Sequence, residues 1–116
     1  MSTNKLRAEK ILNFPNDKSY KAKMSLDTVI RIEQSLGFSI LKFGNRLAST
    51  DATLTECIQV LTLALRSGGN DLKDNDVKEL VQSMGLLETI KTTGDLVSLA
   101  LDIGEPELEK KSESQT

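Results

Sequence analysis

Residues 53–70 have the sequence TLTECIQVLTLALRSGGN, and this stretch decides the fold of the chain. Thr53 and Glu56 have the spacing of a capping box, in which each side chain accepts a hydrogen bond from the other residue's backbone N–H. Apolar residues then recur at helical spacing at Leu54, Cys57, Ile58, Val60, Leu61, Leu63, Ala64 and Leu65. Because so wide an apolar stripe must be covered on several sides, we expect this helix at the centre of the domain, ending at 67–70.

Two further helices are predicted on the N-terminal side of this segment. Ser25 is a suitable N-cap and Gly37 a suitable left-handed C-cap, which places the first helix at about 26–36. A short second helix follows at 39–48, and it contains Gly44. Since glycine costs up to about 1 kcal/mol relative to alanine inside a helix, we expect Gly44 to pack closely against a neighbouring element.

Two helices are also predicted on the C-terminal side. The run Asp-Asn-Asp at 74–76 suits the first turn of a helix, where the helix dipole favours anions, and Gly85 suits its end. The last helix covers about 87–103. Its middle contains Thr92-Thr93-Gly94, residues with weak helix propensity, so we expect a kink or a break there.

The first 24 residues follow a different pattern. Apolar side chains alternate with polar ones, in a period of two, at Tyr20, Ala22 and Met24. This alternation is typical of a strand with one buried face. The sequence Pro-Asn-Asp-Lys at 15–18 favours a turn, so residues 7–14 and 18–24 are predicted to form a β-hairpin.

Together these elements predict an α+β fold, with an N-terminal β-hairpin packed on a four- or five-helix bundle. The length of 116 residues fits a single domain, which we place at 1–104, with the hairpin at 7–24 and the helices at 26–103. Residues 105–116, EPELEKKSESQT, show no pattern of core residues. We expect them to form a disordered polar tail.

Composition excludes several classes of function. The chain has no histidine and a single cysteine, which removes Ser-His-Asp and Cys-His catalysis and His-ligated zinc. We therefore expect no enzyme activity, no cofactor and no metal. A net charge of −2 disfavours binding of nucleic acid. Because there is no apolar signal core and no apolar run long enough to span a membrane, we expect a cytoplasmic protein without membrane contact.

Local motifs that suggest other chemistry have simpler explanations. The acidic residues at 71–79 resemble a calcium loop, but Lys73 or Lys78 occupies a ligand position in either register. A helix-turn-helix made of the third and fourth helices would carry acidic residues beside Lys78, which would repel phosphate. Cys57 lies on the apolar stripe, where a cysteine behaves as a small hydrophobic residue.

Short segments of the chain stand in an order and spacing shared with a known family. They are Arg7-Ala8-Glu9, the hairpin end at Tyr20, Met24-Ser25-Leu26, Ile32-Glu33 and Leu36-Gly37. Residues 65–72, LRSGGNDL, follow the pattern L-R-x-x-G-[HN]-x-[LV] before an acidic helix start. Over about residues 7–103 the chain resembles the tail assembly chaperone family of gene transfer agents and siphophage-like prophages. It departs from the family pattern at Ala8, Asp27, Thr62 and Asn70.

The resemblance implies a small, non-enzymatic adaptor or chaperone of phage-like tail morphogenesis. Such a protein would bind the tape measure protein, tail tube subunits or both during assembly. A helical protein with an apolar groove can shield apolar helices of a partner, and many weak contacts along one tape measure would act together. Two alternatives stay open: a DNA-binding phage or prophage regulator, and a structural component retained in the tail.

The second helix, at 39–48, carries more apolar side chains than one helix face can bury. In one interpretation all the large apolar residues at 38–43 belong to the core. In the other, part of this surface docks a tape measure segment or another copy of the protein. The predicted partner-binding residues are then Phe38, Ile40 and Phe43, with a charged rim from Lys42 and Arg46.

Overall fold

The computed structural model describes residues 3–4 and 8–102, which form a three-stranded antiparallel sheet followed by five helices. The strands are β1 (Thr3–Asn4), β2 (Glu9–Phe14) and β3 (Lys18–Lys23). The helices are α1 (Leu26–Leu36), α2 (Ile40–Ala48), α3 (Leu54–Ser67), α4 (Asp74–Met84) and α5 (Leu86–Leu101). The predicted α+β fold is confirmed. The predicted tail at 105–116 lies outside the described residues, as do residues 7 and 103 of the predicted elements.

Strands β2 and β3 are the two strands of the predicted hairpin, and their register pairs Leu12 with Tyr20. In the turn, Asn16 and Asp17 have φ values of 68° and 61°, a left-handed backbone that short polar residues tolerate. Strand β1 pairs with β2 and is not predicted by the sequence pattern. Two residues are too short a segment to show a period of two.

Helix α3 lies at the centre of the domain, in contact with α1, α4, α5 and strand β3. Its buried side chains are Cys57, Val60, Leu61, Thr62, Ala64 and Leu65. Full burial of each large aliphatic side chain stabilises the fold by about 1.5–3 kcal/mol. The central position that the apolar stripe predicts is therefore confirmed.

Helix boundaries follow the predicted capping chemistry. Thr53 Oγ1 accepts a hydrogen bond from the backbone N–H of Glu56 at 3.1 Å, and Glu56 Oε1 accepts from the N–H of Thr53 at 2.9 Å. Ser25 Oγ accepts from the N–H of Thr28 at 3.4 Å, and Gly37 ends α1 with a φ of 87°. These bonds join residues close together in sequence, which is why the helix ends could be predicted.

Helix α5 is continuous from Leu86 to Leu101, so the predicted break at 92–94 is wrong, whereas the kink there stays a prediction. Thr93 is completely buried, and its hydroxyl donates a hydrogen bond to the carbonyl oxygen of Thr89 at 2.8 Å. The polar group is thus satisfied by the preceding turn of its own helix. Burial of the surrounding apolar residues outweighs the weak helix propensity of this segment.

Helices α2 and α5 approach each other closely at Gly44. A Cβ atom on this residue would lie 3.3 Å from Cγ1 of Val97. The predicted close packing of Gly44 is confirmed. The absence of a side chain here leaves space above Val97, between the two helices.

Candidate functional site

Two of the five residues predicted to bind a partner lie in the core. Phe43 is completely buried, and Ile40 is also buried. Together with Leu47 they follow an i, i+3, i+7 spacing, which places them on one face of α2. That face packs on the bundle, where α2 contacts α1 and α5. Phe43 and Ile40 therefore present almost no surface to a partner in the folded chain, and their part in partner binding stays a prediction.

The other predicted residues, Phe38, Lys42 and Arg46, lie together along one side of α2. Lys42 Nζ lies 5.5 Å and Arg46 Cζ 4.9 Å from the centre of the Phe38 ring. Arg46 Nη2 also donates to Glu56 Oε1 and to the carbonyl oxygen of Asp51, both at 3.0 Å. Arg46 thus joins α2 to the capping box of α3. These contacts give Arg46 a structural role, and partner binding by Phe38, Lys42 and Arg46 stays a prediction.

The exposed large apolar residue of α2 is Leu41, which is 63% exposed. Leu41 comes directly after Ile40, so it lies about 100° around the helix from the buried face. A helical projection of residues 40–48 would have separated Leu41 from Ile40 and Phe43. The number of apolar residues in α2 exceeds what one helix face can bury, but this number alone does not identify which residue is exposed.

Leu41 lies on the rim of a groove between α2 and α5 with a volume of about 450 Å³. The apolar residues that line it include Leu41, Leu47, Ile90, Val97 and Leu101. Leu101, at the end of α5, is 40% exposed. Lys91 and Asp95 of α5 supply a charge of each sign at the same groove. The groove is suited to an apolar side chain or helix face with a few polar contacts at its edge.

No group of three or more Asp, Glu, Cys or His side chains among residues 3–4 and 8–102 is placed to hold a metal ion. Cys57 is completely buried, and burial raises the pKa of its thiol, so the thiolate needed for nucleophilic chemistry is disfavoured. This is the structural position that its place on the apolar stripe predicts.

The segment LRSGGNDL at 65–72 forms the junction between α3 and the sheet. A Cβ atom on Gly68 would overlap the backbone carbonyl of Lys21 in β3, so only glycine fits there. Asn70 Nδ2 donates to the carbonyl oxygens of Lys21 and Leu65, at 2.7 Å and 2.9 Å. Arg66 Nε donates to the carbonyl oxygen of Leu72 at 2.9 Å. The residues that carry much of the family resemblance therefore hold the fold together.

None of the described helices has the length and apolar character needed to cross a membrane.

Comparison with known proteins identifies the family. A search of curated proteins and a search of solved structures each found no match to the chain. The model of a family described as "Phage tail tube protein, GTA-gp10" matches residues 9–102, from the start of β2 to the residue after α5. The chain is thus a phage-tail-related protein and belongs to this phage tail tube protein family, GTA-gp10.

Proposed function

We propose that this protein is a non-enzymatic binding protein of phage-like tail assembly. In this proposal the groove between α2 and α5 docks an apolar helical segment of a tail protein, the tape measure protein or a tail tube subunit. The observation that carries the proposal is the exposure of Leu41 and Leu101 at one groove whose floor is formed by Val97. Family membership supports tail proteins as the partners.

The dimensions of the groove fit a short helical contact. Helix α2 has nine residues, so it is about 13 Å long and faces about two turns of a partner helix. Apolar side chains at i, i+3 or i+4 of the partner would cover Leu41 and Leu101. Each Å² of apolar surface removed from water contributes about 25 cal/mol, so one contact of this size is weak. Many copies along one long tape measure would make the assembly stable.

A second candidate is a structural component that stays in the finished tail. The family description, a tail tube protein, favours this candidate. The two candidates share the α2/α5 groove as a docking surface and differ in whether the protein leaves. Mass spectrometry of purified tails or particles separates them, because a chaperone is absent from the finished product and a structural component is present in many copies.

Binding of DNA as a regulator has less support. The first turn of α4 contains Asp74 and Asp76, and the net charge of the chain is −2. A recognition helix with these carboxylates at its start would repel the phosphate backbone. A gel-shift titration at low salt tests this alternative, and salt-dependent binding of duplex DNA would favour it.

Co-purification with tail proteins tests the proposed function. The protein is co-expressed with the tape measure and tail tube proteins of its own gene cluster, and Leu41→Glu is compared with Leu26→Glu. Leu26 is 65% exposed and lies on α1, away from the groove. We expect only Leu41→Glu to lose co-purification, because a carboxylate in an apolar contact stays unpaired. Equal retention of a tail protein by both folded variants would contradict the proposal.

A further inference from the structure

A second groove, of about 560 Å³, lies between α1, α3 and α4. Ile58 and Leu63 of α3 are its large apolar residues. Its polar residues include Arg31 of α1, Arg66 of α3 and Lys78 of α4. We call it the basic groove. It shares no residue with the groove between α2 and α5.

The charge of the basic groove is only partly neutralised within the chain. Arg66 Nη2 lies 3.2 Å from Asp74 Oδ1, and this carboxylate is the acidic residue that lines the groove. Arg31 and Lys78 have no ion-pair partner among residues 3–4 and 8–102. Two cations beside Ile58 and Leu63 indicate a ligand that combines apolar side chains with negative charge.

The chain itself carries a surface with matching chemistry at the start of α5. Leu86 and Leu87 follow the turn at Gly85, and Leu87 is 84% exposed, the largest exposed fraction of any large apolar residue described. Glu88 is exposed beside them. Helix α5 begins without a side-chain cap, so the N–H groups of its first turn are free to donate. We call Leu86, Leu87 and Glu88 the α5 knob.

We propose that the α5 knob of one molecule docks in the basic groove of a second copy of this chain. Leu87 would contact Ile58 and Leu63, and the Glu88 carboxylate would lie near Lys78 and Arg31. Apolar contact and opposite charge therefore match at the same two surfaces.

The contact must join different molecules. The basic groove includes Asp74 and Lys78 in the first half of α4, whereas the α5 knob follows the last residue of α4, Met84. An 11-residue helix is about 16 Å long, so a molecule cannot place its own knob in its own groove. Where the rotation between two molecules is not two-fold, this head-to-tail contact leaves one knob and one groove unfilled in each dimer. Repetition of the contact produces a ring if the rotation closes and a filament if it does not.

Sedimentation velocity of the purified chain over a wide concentration series provides the first test. We expect species larger than a dimer to increase with concentration. Leu87→Ser should raise the Kd for self-association at least about ten-fold, as loss of a central apolar anchor does at other interfaces. Leu26→Ser, at a similarly exposed leucine outside both surfaces, is the matched control and should leave the Kd unchanged.

Charge exchange provides the second test and does not depend on any single variant. Glu88→Lys and Lys78→Glu should each weaken self-association, since each puts like charges together at the contact. Mixing the two variants should restore assembly, because the intact knob of one meets the intact groove of the other. Restoration on mixing is specific to a head-to-tail contact and distinguishes it from loss of folding.

Several results would overturn the proposal. They are a monomer at all concentrations, equal effects of Leu87→Ser and Leu26→Ser, and no recovery when the charge variants are mixed. Capture of an acidic helix of another tail protein by the basic groove, without self-association, would also overturn it. The basic groove and the groove between α2 and α5 share no residue. If the self-association proposal fails, the proposed function is therefore still tested separately by co-purification.

Discussion

The side-chain amide of Asn70 donates a hydrogen bond to the backbone carbonyl oxygen of Lys21 at 2.7 Å, joining the end of α3 to strand β3 across 49 residues of sequence. The same Lys21 carbonyl lies against Gly68, where no side chain can fit. One backbone peptide of the hairpin is therefore held by an amide donor and by close contact with glycine. Through this junction the N-terminal sheet is attached to the central helix of the bundle.

Replacement of Gly68 is expected to disrupt this junction. In Gly68→Ala the new methyl group would overlap the Lys21 carbonyl, so strand β3 or the end of α3 must move. We expect a loss of at least about 1–3 kcal/mol in the free energy of unfolding, the usual cost of overpacking. Urea unfolding measures it. Gly94→Ala is the control: a Cβ there meets no atom within 4 Å, so it should stabilise α5 by up to about 1 kcal/mol.

Removal of the Asn70 amide tests the hydrogen bonds themselves. Asn70→Ala leaves the carbonyl oxygens of Lys21 and Leu65 without this donor. We expect a cost of about 0.5–1.5 kcal/mol, the usual net contribution of a hydrogen bond, because the bond to Lys21 is exposed and the Leu65 carbonyl keeps backbone donors. Asn75→Ala, at an exposed residue with no side-chain hydrogen bond in the described chain, should change stability by less than about 0.5 kcal/mol. Equal effects would show that the amide contributes nothing.

The apolar stripe of α3 makes Leu61 a sensitive residue. Leu61 is completely enclosed by the core, so Leu61→Ala should lower the free energy of unfolding by about 2–5 kcal/mol, enough to unfold a marginal domain. Leu41→Ala removes the same atoms from an exposed leucine and should cost less than about 0.5 kcal/mol. Denaturant titration of both variants provides the comparison. A small loss for Leu61→Ala would mean that the core collapses around the deletion.

Helix α2 should tolerate polar residues at Leu41 and reject them at Phe43. Phe43→Ser buries an unpaired hydroxyl and removes a completely enclosed ring, so we expect an unfolded or strongly destabilised protein by circular dichroism. Leu41→Ser should keep the wild-type spectrum and thermal midpoint. If Phe43→Ser instead keeps a cooperative unfolding transition at the wild-type temperature, the buried face of α2 is assigned to the wrong residues.

Burial of Cys57 should make stability fall at alkaline pH. Burial raises the pKa of the thiol in the folded protein above its ordinary value of about 8.5. The folded state therefore holds this proton more tightly, and the resulting stability is complete below the pKa of the unfolded thiol. It is lost as pH rises towards the folded pKa. We expect the stability of the wild type relative to Cys57→Ala to decrease between neutral pH and about pH 10, measured by urea titration at each pH.

The pattern of residues along the chain predicts the hairpin, the five helices and their order, but not the two-residue strand β1. Ser25, Gly37 and the Thr53–Glu56 pair define helix ends through hydrogen bonds between residues a few positions apart. Such short-range bonds can be recognised from the spacing of residue types in the sequence. The alternation at 20–24 and the stripe at 54–65 predicted the hairpin and the central helix for the same reason. Burial of Cys57 followed from its place on the apolar stripe of α3. Close packing at Gly44 followed from the presence of a glycine inside a helix.

Packing of the helices on one another determines which surfaces remain exposed. Ile40 and Leu41 are adjacent and equally apolar, yet only Leu41 faces the groove, because the position of α5 determines which side of α2 is covered. The basic groove is assembled from three helices, and the contact between Gly68 and Lys21 joins residues 47 positions apart. Such juxtapositions depend on how the helices pack on one another. Capping and periodicity describe each helix separately, so they do not contain this information.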